Sequence, residues 1–90
     1  MAGINGKLPF YKNVNKDIDF GNITEQGVYL INNSADFKTL NSPSGAQNSI
    51  LILLGIPGAG NAAIQLCFPA DGNNSYWRID YGAWLPWRTL

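Results

Sequence analysis

Residues 76–90 read "YWRIDYGAWLPWRTL" and hold all three tryptophans, half of the tyrosines and both arginines of the chain. Rings beside guanidinium groups can do two kinds of work. They can form a ligand platform, with indoles against the apolar face of a sugar and arginines bonding to hydroxyls or a carboxylate. They can also pack on each other, with arginine over indole in a cation–π contact of about 0.5–2 kcal/mol. Under the first reading Trp84, Trp87, Tyr76 and Arg88 are the candidate ligand-binding residues. Under the second, Trp84 and Trp87 close the open end of a small sheet. Arg78 is expected to stack on the indoles. If residues 76–81 and 84–89 pair as a hairpin, Arg78 lies close to Trp87.

Other chemistry is thinly represented. The chain has no histidine and one cysteine, Cys67. That leaves no internal disulfide, zinc site, Cys–His pair or Ser–His–Asp triad. Asp17 and Asp19 sit two apart, and Asp80 lies in the final aromatic stretch. Carboxylates can pair in a glycosidase or ligate calcium. Here, as with Glu25 and Asp36, solvated loop charges are the expectation, with no catalytic residue, metal or cofactor. Cys67 is expected to be a small buried hydrophobe beside Gln65. Gln65 is expected to pair with a polar group of a neighbouring strand or of a symmetry mate. The two "NNS" loops, 32–34 and 73–75, read as turns whose side chains also suit sugar hydroxyls.

Six basic residues balance six acidic ones. A neutral chain has no basic stripe to displace phosphate counterions, which argues against nucleic acid or an anionic membrane as partner. The longest aliphatic run, Ile50 to Leu54, is too short to span a bilayer, so no membrane insertion is expected. The N-terminal residues lack the apolar stretch of a signal peptide. The chain is therefore expected to fold in the cytoplasm or to belong to a longer protein. From Thr39 to Ala70, 32 residues pass without a charge. That segment suits either a central hairpin buried on both faces, the favoured reading, or a contact with another subunit or neutral ligand.

The elements that must position these groups are strands. "GVYLI" (27–31), "SILILLGI" (49–56), "NAAIQLCF" (61–68) and "YWRIDY" (76–81) have strand composition or alternation, and turn signals such as "PGAG" and "DG" divide them. "WLPWRTL" (84–90) reads as a short final strand that Pro86 places at an edge or whose ladder it breaks. In "YWRIDY", Trp77, Ile79 and Tyr81 form the expected core face. Asn22 or Thr24 can cap a turn, and "ADFKTL" (35–40) is the stretch expected to hold a helical turn. The fold class is all-β: a mostly antiparallel meander in a small sheet or sandwich, with one short helical turn.

In order, "NITEQGVYLINN", "NSPSG", "AAIQLCF" and the closing Tyr76, Arg78, Gly82, Trp84 and Trp87 resemble the pyocin-knob type domain of bacteriophage tail fibres and R-type pyocin fibres. The resemblance spans residues 19–90 and leaves residues 1–18 as an N-terminal linker or added strand. It implies a non-catalytic, trimeric fibre knob that recognises a host cell-surface glycan or protein receptor or decorates the fibre. It implies a place on the virion or another extracellular particle, after synthesis in the bacterial cytoplasm. The alternative is a free-standing carbohydrate-binding module or a fragment of a glycan-cleaving tailspike enzyme.

Overall fold

The computed structural model describes residues 11–32 and 37–90. The fold is all-β, with one 3₁₀ turn among the described residues, at Phe20–Asn22. Its strands are β1 (Tyr11–Val14), β2 (Ile18–Asp19), β3 (Gly27–Asn32), β4 (Thr39–Leu40), β5 (Asn48–Gly55), β6 (Ala63–Pro69), β7 (Tyr76–Asp80) and β8 (Arg88–Thr89). Six strands form one sheet in the order β1-β3-β5-β6-β7-β8, and β2 pairs with β4 in a second, two-stranded sheet. Within the large sheet every pairing from β3 to β8 is antiparallel, while β1 runs parallel to β3; β2 and β4 also pair in parallel. The last strand lies at an edge as expected, but only Arg88–Thr89 of residues 84–90 form it, with Trp84 in an isolated bridge to Asp80 and Pro86 outside the ladder.

Local sequence explains the long strands. β5 and β6 are rich in β-branched and aliphatic residues, which fit a pleated surface. The connection between β6 and β7 turns on Asp71 and Gly72. Asp71 Oδ1 accepts from the Asn73 amide at 3.0 Å, and Gly72 adopts φ +73°, where a side chain would be strained. Gly45, at φ +81°, lies so close to this loop that a Cβ would stand 2.7 Å from Asp71 Oδ2.

The helical turn expected in "ADFKTL" is not found among its described residues, 37–40. Residues 35 and 36 lie outside the described residues, and Thr39–Leu40 are extended as β4. Nor do Asn22 or Thr24 cap the turn at Phe20–Asn22: Asp19 does, accepting from the Gly21 amide at 2.8 Å. The polar start "DFGN" has a cap but no apolar period, so one turn forms and ends.

The core lies between the inner face of the large sheet and an irregular layer of loops. The sheet contributes Val14, Tyr29, Ile31, Leu51, Leu53 and Cys67. The covering layer contributes Phe20, Phe37 and Ala46, with Ile18, Trp84 and Trp87 partly buried against them. Cys67 is fully buried, and burial pushes its thiol up to about 11.

Two expectations about faces change here. Trp77, Ile79 and Tyr81 do not form the core face of β7. Arg78 is only 5% exposed, whereas Tyr81 is 74% exposed, so the inward face is Tyr76, Arg78 and Asp80. The central hairpin is also not buried on both sides. On β5, Leu51 and Leu53 face the core, while Ile50 and Leu54 stand out at 45% and 40% exposure. Among the described residues the covering layer lies on the other face.

This assignment is directly measurable. Leu51→Ala removes a fully buried side chain and is expected to cost about 2–5 kcal/mol. Ile50→Ala, next to it but outward, should cost under about 1 kcal/mol at low protein concentration. Thermal unfolding of both variants tests the order; equal losses would refute the assignment of faces.

Candidate functional site

The closing aromatic stretch organises around Arg78. β7 alternation turns this side chain inward, and Gln65 of β6 lies directly opposite it. The Arg78 Nε donates to Gln65 Oε1 at 2.7 Å, and Gln65 Nε2 donates to the Phe20 carbonyl at 2.7 Å. Gln65 thus finds its partners within the chain. The guanidinium carbon sits 4.3 Å from the Trp84 ring centroid and 4.4 Å from that of Trp87. Arginine is a weakly hydrated plane of delocalised charge, so two indoles can replace much of its water. Among the described residues its Nη2 has no hydrogen-bond acceptor. Burial pulls the group below its ordinary pKa, and the charges of Asp19 and Asp80 oppose that shift.

The indoles are held by their edges. Trp84 Nε1 donates to the Gly21 carbonyl at 3.2 Å, and Trp87 Nε1 to the Asn41 carbonyl at 3.0 Å. Asp19 ties both acceptor segments together, because its Oδ1 accepts from the Gly21 amide and the Asn41 side chain, each at 2.8 Å. Trp87 also meets Phe20 edge-on, with centroids 6.4 Å apart. Most of this cluster therefore fastens the loop layer to the sheet. Arg78 stacking is as expected, and it extends to both indoles.

Space for a ligand lies beside the cluster. A cleft of about 530 Å³ opens at the end of the sheet where β5 runs into β6, bordered by Thr24, Gln26, Gly55, Asn61, Asp80 and Trp84. A second, of about 630 Å³, adjoins it and shares Asn61, Ala62 and Asp80, with Tyr81 and Gly82 on its far side. Together they make a groove with an indole at one end, a phenol at the other and a carboxylate between. Gln26 is partly committed, since its Oε1 accepts from the Gly55 amide at 2.9 Å.

Of the four candidate ligand residues, the structure brings only Trp84 to this groove. Tyr76 packs against the core, Trp87 bonds to Asn41, and Arg88 lies 5.7 Å over the Trp77 ring on the opposite face. Asp80 borders both clefts. Thr24, Gln26 and Asn61 carried no sequence signal, because the return of the β5–β6 hairpin brings them together. The other acids hold structure: Asp17 accepts from the Lys38 amide, and Glu25 pairs with Lys12 of β1. Asp36 lies outside the described residues. Among the described residues no three potential ligands converge on a metal position. The groove presents one carboxylate, where glycoside hydrolysis uses two.

Arg78→Ala would leave Gln65 Oε1 without its donor and take the guanidinium from both indoles. It is expected to cost about 3–5 kcal/mol in chemical denaturation, with Arg78→Lys recovering only part, because a lysine cannot stack as a plane. Asp19 gives a pH signature. The Asn41 side chain, then the Gly21 amide, hold its carboxyl below its ordinary value of 3.8. A carboxyl lowered by folding stabilises the fold above its unfolded value and loses that contribution as pH falls through the folded one. The stability gap between wild type and Asp19→Asn should therefore be constant near neutrality and shrink as pH drops below 3.8. A gap that widens in acid would contradict this.

The chain matches no family model, no curated protein and no solved structure.

Proposed function

We propose that this chain is a non-catalytic glycan-recognition domain, carried in several copies, as in a homotrimer, on a tail-fibre-like particle of a bacteriophage or pyocin. The observation that carries the recognition half is the groove along Trp84, Asn61, Asp80 and Tyr81. An indole and a phenol suit the apolar faces of sugar rings, and amide, hydroxyl and carboxylate groups between them suit hydroxyls. Two adjoining clefts fit an oligosaccharide better than a single ring. The fibre half rests on the ordered motif resemblance of residues 19–90 and on the neutral charge balance. A single carboxylate in the groove favours binding over cleavage.

Glycan-array screening followed by titration calorimetry tests this reading. The wild-type chain should bind a neutral oligosaccharide. Asp80→Asn and Asn61→Ala should each weaken it about three- to tenfold, the loss of one or two hydrogen bonds. Arg88→Ala, on the opposite face, should leave affinity unchanged. Binding that depends on Arg88 and ignores Asp80 and Asn61 would place the ligand elsewhere, and no binding on a broad panel would defeat the recognition claim.

A further inference from the structure

Across β3, β5, β6 and β7 the outer face of the large sheet carries three apolar rows, bounded by the Asn32–Asn48 pair, by Asn13 on β1 and by Arg88 on β8. Val28, Ile52, Leu66 and Trp77 stand side by side across four strands. Leu30, Ile50 and Phe68 form the row on one side, and Leu54, Ile64 and Ile79 the row on the other. These ten positions include no charged and no polar residue. Ile50, Leu54 and Phe68 are 45%, 40% and 37% exposed. The inner face, by contrast, carries Ser49, Gln65, Arg78 and Asp80. The sheet thus turns Gln65 and Arg78 to its own loops and a ten-residue apolar patch outward.

We infer that this outer face is where copies of the chain meet, sheet against sheet. Its breadth argues for that occupant. At about 4.8 Å between strands and about 6.8 Å between same-face residues, four strands and three rows span roughly 19 by 20 Å. A helix is only about 10–12 Å across and would leave about half of that apolar width in water. A docked sheet covers it, and packed sheets lie about 10 Å apart with interleaved side chains. Two such faces project roughly 800 Å² before side-chain relief, which brings the contact toward the lower end of stable interfaces, about 1,200 Å². Charge argues the same way. The patch offers nothing for a charged partner to pair with, and two neutral copies meet without like-charge repulsion. Arg88, over the Trp77 ring, sits at the rim. Two copies can mate this face flat, or three can close it around an axis. The inference deepens the assembly half of the reading above and is independent of glycan recognition.

Mass measurement across micromolar concentrations tests it. Wild type should sediment as a dimer or trimer, and the Ile50→Glu/Phe68→Glu double variant should be monomeric, with an association constant at least about tenfold lower and an unchanged β circular dichroism spectrum. Leu40→Glu and Leu85→Glu replace hydrophobes exposed elsewhere, at 55% and 51%, and should leave the mass unchanged. A wild-type monomer throughout, or an oligomer that survives the double variant while folded, would overturn the proposal. In either case glycan titration on the same samples shows separately whether the groove binds.

Discussion

A guanidinium buried between two indoles is the constraint on which the rest of this structure depends. Taking a charge out of water is costly unless fixed groups replace its hydration. Around Arg78 those groups come from far apart in the chain: Gln65 from β6, Trp84 and Trp87 from the closing stretch, Asp19 from the cap of the 3₁₀ turn. Each is held in turn, so moving one exposes or unpairs the others. A small domain with an irregular covering layer has little regular packing to fix that layer. Here a polar and aromatic clamp does it. The hydrogen bonds from the indoles to the Gly21 and Asn41 carbonyls decide where the loops lie.

Much of the sheet was legible. The four main strands fall within a residue or two of their sequence signals, because alternation and turn residues are local properties. The choice of face was not local. In β7 one phase is Trp77, Ile79, Tyr81 and the other Tyr76, Arg78, Asp80. Apolar content alone buries the first, and the fold buries the second because Gln65 and the two indoles wait on that side. Tyr81, just past the end of the strand, is left mostly in water. Short elements were illegible for a related reason. β2 and β4 hold two residues each, with no period to read, and exist because the loop layer sets them side by side. β1 joins β3 in parallel, a pairing no hairpin signal announces.

The candidate site divides along the same line. Arg78 stacking could be read from the sequence, since arginine and two tryptophans lie within ten residues of one another. The groove could not. Its polar members come from the approach to β3, the β5–β6 turn and the end of β7, and nothing in their spacing links them. Trp84 belongs to both systems: its ring covers the guanidinium and its indole also borders the groove. Recognition and architecture are thus coupled through one side chain.

The bonds that fasten the loop layer span 45, 46 and 63 residues of chain: Gln65 to Phe20, Trp87 to Asn41, and Trp84 to Gly21. On a ribosome, which adds residues in order, the strands from Gly27 to Pro69 can pair as soon as they emerge. The early turn and the loop around Asn41 then remain without their last fasteners until Trp87 has been made. Through that interval both faces of the nascent sheet are open to water. Closure of the inner one waits for translation of Trp87, and any chaperone that guards the intermediate must release it only after that point.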